Sequence, residues 1–491
     1  KMALPSVKHN FFFNLINTLI KIVFPLIVFP YVSRILLPEG IGRVNYAEAF
    51  VSYFVLFSSL GIPVYGLREV AKHRNDLPAL QKKLAGVFSI NIVFSIASYS
   101  ILAFLVFFNF IGKEPQLILI NSSLILFSLL DMEWYFQGTE NYKFITIRNV
   151  ILKMISLVLI FIFIRSNDDV LLYAALLAIG VGGNSLFNFS YVLSKHGKAL
   201  LKHFNLKFII SSFSEHLRSI LITSSMALAG SIYLSLDVVM LGQISSNEEV
   251  GFYSASIKIV RVLISVVLAL STVLLPRASL HVKNDEMKQF NDLIKLSFNF
   301  ICFLSFPCIA GIVILSDSII VLFSGMNFYP AHQVIELLAI LMFLVSMNNL
   351  FGMQILYPLN KERLFLIAIL IGAAVNVISN LILIPHYNAI GAAISSVLAE
   401  FFIFITLFIV NRKFFEAATF KKPLRYILAT VIMCAVVMTL NHFIPPFKLL
   451  NTAAMILTGG LCYVITLVLL KETDFIKPIL VSISSRLKSN G

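Results

Sequence analysis

Apolar and polar residues do not alternate finely along this chain; they separate into long apolar runs and short polar breaks. About 20 apolar residues cross a bilayer core as a helix. Fourteen runs of that order are found, at 10–37, 44–65, 84–110, 115–138, 142–164, 169–194, 214–244, 250–275, 290–320, 331–357, 363–385, 388–410, 425–444 and 449–470. No soluble domain interrupts them, and the longest breaks are basic stretches near 66–83, 195–213 and 276–289. The first run differs from the others. Asn10, Asn14, Asn17 and Lys21 recur every three or four residues, which on a helix places them along one face. Pro25 and Pro30 each remove a backbone hydrogen bond and bend this helix, and Pro38-Glu39-Gly40-Ile41-Gly42 breaks it. A bent apolar helix with a polar seam and a lysine is expected to face a cavity, because lipid cannot solvate it. The run is too long for a cleaved signal and lacks a small-residue cleavage site, so it reads as a retained helix.

Composition agrees with the pattern. Of 491 residues 59% are hydrophobic and 13% charged, the mean hydropathy is +0.92, and 45 are Phe, expected at lipid contacts and in the core. The fold class is therefore an all-α polytopic membrane protein of about 14 transmembrane helices. Cys302, Cys308, Cys434 and Cys462 all lie in apolar runs, and Cys302 and Cys308 are too far apart on one helix to bond. With the N-terminus placed in the cytoplasm, inner loops and tails hold 29 of the 38 Lys and Arg, outer loops five and spans four. This asymmetry predicts both termini inside. The net charge of +14 is then topology and attraction to anionic lipid, and nucleic acid is not an expected partner.

An internal repeat is visible. Pro38-Glu39-Gly40-Ile41-Gly42 before the second run matches Asn247-Glu248-Glu249-Val250-Gly251 before the eighth, six runs later. Duplicated bundles that rock about a midplane site are a recurrent transporter plan.

Several stretches carry a family resemblance. Asp131-Met132-Glu133-Trp134 with Gln137-Gly138, Glu140, Tyr142, Ile147-Arg148 and Lys153 resembles the fourth and fifth helices of Wzx-type oligosaccharide flippases. So do Asp237 to Gly242 with Val250 to Ala255, Phe328 to Ala331 with Leu338-Ala339, and Ile384-Pro385 with Ile390 to Ala393. The resemblance covers residues 10 to about 410, and the last two helices match weakly. That family shares a superfamily with multidrug extruders and peptidoglycan lipid flippases. The resemblance implies two six-helix lobes about a central cavity and two further helices, hence divisions at 1–213, 214–415 and 416–491. It implies a bacterial cytoplasmic-membrane protein moving an undecaprenyl-diphosphate-linked oligosaccharide, an O-antigen or capsule repeat unit, from the inner to the outer leaflet. Membrane lipids, a polysaccharide polymerase and a chain-length regulator are the further partners it implies. It leaves open a coupled ion, H+ or Na+.

Such a cargo needs buried cations and amides in a wet cavity. Depth along each hairpin sorts them. Arg34 and Glu48 lie at similar depth, as do Asp237 and Lys258, and Glu133 and Arg148, so these cations are expected to be paired. Lys21 lies opposite Gly61 and Arg261 opposite Leu234, so neither is expected to have a partner. The candidate substrate-binding residues are Lys21, Arg261, Lys258, Arg34, Asn14, Asn17 and Lys153. Asp237, Glu48, Asp131, Glu133, Arg148 and Glu400 are expected to be structural or ion-coupling, with Glu400 more readily a satisfied interhelical group than a proton site. Trp134 and Tyr135, near an inner span end, read as interface anchors.

No HExxH, Cys/His cluster, G-x-S-x-G or P-loop is present, so no catalytic or metal site and no cofactor is expected. A polymerase or ligase of lipid-linked glycans would carry a substantial outer loop, and here these are about ten residues or fewer. A multidrug extruder is the remaining rival. It would place an acid, not a lysine, in the first helix. A scaffold would need neither buried cations nor helices bent at Pro25, Pro30, Pro63 and Pro307.

Overall fold

A computed structural model describes residues 7–108, 110, 112–203, 205–415, 421–445 and 447–475; the side chains of 7–9, 11, 21, 199–203, 206 and 222–234 lie outside that description. The described residues form helices joined by short turns, with no strand among them. Two compact units divide the chain at Gly251.

The first unit holds α1 (Val7–Ser59), α2 (Ile62–His73), α3 (Leu77–Phe107), α4 (Pro115–Leu130), α5 (Glu133–Gly138), α6 (Tyr142–Phe163), α7 (Val170–His203), α8 (Leu206–Ile244) and the first turn of α9 (Asn247–Lys283). α1 is two helices meeting at Leu37, whose φ of 61° and ψ of 173° leave the helical region. Leu37 precedes Pro38, and a residue before proline is pushed out of the helical basin. The break foreseen at Pro38–Gly42 thus falls one residue earlier. Pro63 sits in the first turn of α2, where a proline is tolerated, and does not bend a span as expected.

The two copies of the repeated turn pack on one another inside this unit. A Cβ at Gly42 would stand 1.6 Å from the Asn247 carbonyl oxygen, and one at Gly251 would stand 2.1 Å from that of Pro38. Only glycine allows two backbones to approach so closely. Charged side chains close the seam around them. Glu114 accepts from Arg43 Nε at 2.8 Å and from Asn247 Nδ2 at 3.1 Å. Lys113 Nζ donates to the carbonyls of Gly242 at 2.6 Å and Ser245 at 3.0 Å, covering the end of α8, where a cation suits the helix dipole.

At the other end of the unit, Trp134, Tyr135 and Phe136 are buried in a cluster with Tyr65, Leu84 and Val192. They are core, and the reading of Trp134 and Tyr135 as interface anchors is corrected. The Trp134 ring lies flush on Gly66, where an added Cβ would meet it at 2.5 Å. The polar ends of the tyrosines are satisfied internally: Tyr135 bonds His196 at 2.9 Å and Tyr65 bonds His216 at 2.7 Å.

The second unit contains the rest of α9, then α10 (Met287–Ile314), α11 (Ser316–Ser324), α12 (His332–Ala339), α13 (Leu341–Asn349), α14 (Glu362–Asn411), α15 (Lys421–Phe443) and α16 (Leu449–Leu469). α14 also joins two helices, at Asn388 (φ 48°, ψ −127°), three residues after Pro385. A π-helical segment, Leu350–Leu356, prolongs α13. α15 and α16 form a hairpin against α10. Tyr463 fixes it by donating to the Phe303 carbonyl at 2.8 Å, and Arg425 with Glu472 and Lys422 with Asp474 tie it at the opposite end from its turn.

Eleven helical stretches of the described residues are long and apolar enough to cross a membrane. Phe12–His73 and Glu362–Phe414 each contain two of the spans expected from sequence, split at Leu37 and Asn388, and α8 supplies one more. The chain is thus an all-α membrane protein; the described parts of the fourteen apolar runs are largely helical, and the runs 115–138, 290–320 and 331–357 are each divided into successive helical segments. Large apolar side chains such as Phe107, Phe443 and Leu450 remain exposed, as lipid-facing surface requires.

Candidate functional site

The polar chemistry of the first unit converges where α4 gives way to α5. The α4 helix stops at Asp131, whose side chain accepts the Glu133 N–H at 3.0 Å and so caps the short α5. α6 starts one loop later, with Asn141 accepting from the Phe144 N–H. It carries Arg148, Asn149 and Lys153, of which Asn149 and Lys153 are four apart and share a face. α7 brings Asn184, Ser185 and Asn188, and α1 brings Asn17.

Arg148 is buried, and each of its three guanidinium nitrogens is hydrogen-bonded. Nη2 pairs with Glu133 at 3.2 Å and bonds the Asn149 side chain at 2.8 Å. Nε donates to Asn184 at 3.1 Å, and Nη1 to Asn188. Asn188 in turn donates to Asp131 at 3.0 Å, and Asn149 to Asn17 at 2.8 Å, joining four helical segments in one network. A buried cation is tolerable only when paired and fully hydrogen-bonded.

Beside this network lies a cavity of about 160 Å³ whose wall includes Asn17, Asp131, Glu133, Asn149, Lys153 and Asn184. The Lys153 ammonium also rests 4.2 Å from the centre of the Phe24 ring. Sequence reasoning therefore supplied Asn17, Asp131, Glu133, Arg148 and Lys153, including the pairing of Glu133 with Arg148, and missed Asn149, Asn184, Ser185 and Asn188. The spacing of Asn184 and Asn188, four apart in an apolar run, was the available signal.

Other candidates stand apart from this cavity. Asn14 is exposed. The Lys21 side chain lies outside the described residues. Arg34, expected opposite Glu48, gives its guanidinium to the Pro30 carbonyl on its own helix, and both Arg34 and Glu48 are exposed. Asp237 is buried and, like Lys258, engaged. Arg261 was expected to lack a partner, and it is engaged as well. Hairpin depth compares only one neighbouring helix, whereas a bundle gives each helix several. Within the second unit, Glu400 accepts from Asn348 Nδ2 at 2.6 Å and is a satisfied interhelical acceptor. A second polar knot there, Ser271, Ser297, Asn349 and Gln354, closes on itself about a void of only about 10 Å³, roughly one water. Among the described residues no group of His, Cys, Asp and Glu could hold a metal ion.

The sequence pattern of the polysaccharide biosynthesis protein family matches residues 7–281, more than half of the chain. The chain belongs to this family. Relatives include a putative O-antigen transporter of Shigella dysenteriae, 26% identical over 79% of this chain and 95% of that protein. A putative O-antigen transporter of Escherichia coli (strain K12) is 24% identical over 79% and 93%. The capsular polysaccharide biosynthesis protein CapF of Staphylococcus aureus is 23% identical over 84% and 99%. Among solved structures, the lipid II flippase MurJ in an inward closed conformation superposes with a TM-score of 0.72 at 16% identity, covering 96% of this chain and 100% of that one. An inward-facing multidrug resistance MATE family transporter of the MOP superfamily gives 0.61 at 15% identity, over 80% and 94%. At such identities the likeness is one of fold. The chain thus has the fold these two membrane proteins share, and two of its relatives are named as putative O-antigen transporters.

Proposed function

We propose that this family member is a flippase that moves a lipid-linked oligosaccharide across the membrane by alternating access. The observation that carries the reading is the cavity: amides, carboxylates and a lysine gathered inside an apolar helix bundle, where each would be costly without a polar visitor or partner. The relatives named as O-antigen transporters support the cargo class. In its finer form the cargo is an undecaprenyl-diphosphate-linked repeat unit, carried from the inner to the outer leaflet of the bacterial cytoplasmic membrane. The Lys and Arg asymmetry supports cytoplasmic termini. The proposed moving lobes are 1–213 and 214–415, with 416–491 appended, although the compact units divide later, at Gly251. Lys21, Arg34, Lys258 and Arg261 are the candidates to meet the diphosphate, H+ or Na+ is the candidate coupled ion, and the polymerase and chain-length regulator are the candidate partners.

The test is complementation. Expressed in a bacterium lacking its O-antigen flippase, the chain should restore surface polysaccharide for at least one lipid-linked glycan. A chain that fails with every glycan offered but exports cationic dyes is a multidrug exporter, and the proposal is lost.

A further inference from the structure

We infer that the cavity of the first unit is a subsite for a sugar ring of the cargo and does not hold its diphosphate. This rests on the flippase reading and specifies which part of the cargo each region takes. The argument begins with charge. Arg148 would be the natural grip for a phosphate, yet all three of its nitrogens already serve Glu133, Asn149, Asn184 and Asn188. Reaching a phosphate would break that network and strand Glu133. Among the described residues Lys153 is the remaining cation of the wall, and it stands with Asp131 and Glu133 around the same space. A multiply charged anion entering here meets two carboxylates, and like charges at close range repel.

The hydrogen-bonding pattern points the same way. A sugar hydroxyl both donates and accepts, and so do side-chain amides and hydroxyls, while carboxylates accept strongly. Beyond their internal bonds, Asn17, Asn149 and Asn184 keep amide N–H groups to donate, and Ser185 Oγ and the carboxylates of Asp131 and Glu133 keep capacity to accept. A diphosphate needs donors only. Size also fits: about 160 Å³ is roughly tenfold the ~10–15 Å³ needed for one water, room for a ring and its hydroxyls.

Purified protein carrying Ser185→Cys is treated with a thiol reagent, and the labelling rate of the parent, which has Cys302, Cys308, Cys434 and Cys462, is subtracted. The probes are free hexoses, free N-acetylhexosamines and inorganic pyrophosphate. At least one sugar should slow labelling saturably, about tenfold once it exceeds its Kd about tenfold; pyrophosphate should not, and Asn17→Leu should remove the protection. Val181→Cys, in the same wall, replaces the reporter if Ser185→Cys does not fold. Protection by pyrophosphate, or by no sugar in the panel, overturns the subsite. Surface polysaccharide is measured with the same variants. Export without sugar protection overturns the subsite alone, whereas sugar protection without export of any lipid-linked glycan keeps the subsite and removes the flippase reading.

Discussion

Replacing Gly42 by alanine tests how the repeated turns are held together. The new Cβ would start 1.6 Å from the Asn247 carbonyl oxygen and 2.6 Å from its carbon, where Cβ atoms essentially never come closer than 3.0 Å. The two backbones must therefore part by at least about 1.4 Å. The obstacle is main chain, so no rotamer change relieves it, and Gly251 is blocked from the other side by Pro38. Over-packing of this kind costs about 1–3 kcal/mol, which in a two-state opening is a shift of about 5–150-fold. Val250 is fully buried beside Gly251. A Val250→Cys reporter in detergent-solubilised protein should accordingly react with a soluble maleimide 5–150-fold faster when Gly42→Ala is added, by that same estimate. Gly460→Ala is the control, since nothing lies within 4 Å of its added Cβ. An unchanged labelling rate in well-folded Gly42→Ala would refute the claim that glycine at this seam sets its closure.

Four further outcomes are expected. Arg148→Leu should lower the thermal midpoint markedly, since stranding one member of a buried pair costs about 3–5 kcal/mol, and Arg148→Lys should not restore it because a lysine cannot serve the same fork of acceptors; equal midpoints for wild type and Arg148→Leu would contradict the network. Lys113→Met should loosen the same seam as Gly42→Ala but by only about 0.3–1 kcal/mol, read as a small rise in Val250→Cys labelling that salt reproduces. Reporter fusions at Gly491 and at 195–207 should be active inside and fusions near Lys113 or Asn327 outside; a C-terminus reporting outside removes a span from the count. Lys21→Ala should abolish glycan export while Lys21→Arg keeps appreciable export, with protein levels measured alongside; wild-type export by Lys21→Ala removes Lys21 from the diphosphate candidates.

The helices were legible because each span must satisfy its own backbone in lipid, and that demand writes an uninterrupted apolar run into the sequence. The break at Leu37 was legible through Pro38, and the break at Asn388 falls at the boundary expected between the runs 363–385 and 388–410, although Pro385 alone does not fix which residue turns. Glu133 and Arg148 could be paired on paper because both lie on one hairpin. Asn149, Asn184 and Asn188 were invisible to a search for charge, although they supply most of the acceptors that keep Arg148 buried. Trp134 and Tyr135 misled for a related reason. Amphipathic aromatics suit both a membrane interface and a core that offers the ring a polar partner, and His196 provides that partner inside.

The Arg148 network also bears on how the chain is made. Arg148, Asn149 and Lys153 all lie on α6, and a single Arg or Lys at mid-span costs an isolated inserting helix about 2.5–3.5 kcal/mol. The groups that discharge this cost sit on α5, α7 and α1, and α7 is synthesised after α6. Arg148 and Asn149 therefore have their full set of partners only after α7 has been made and while α1 is at hand, so the polar face of α6 is completed later than the helix itself.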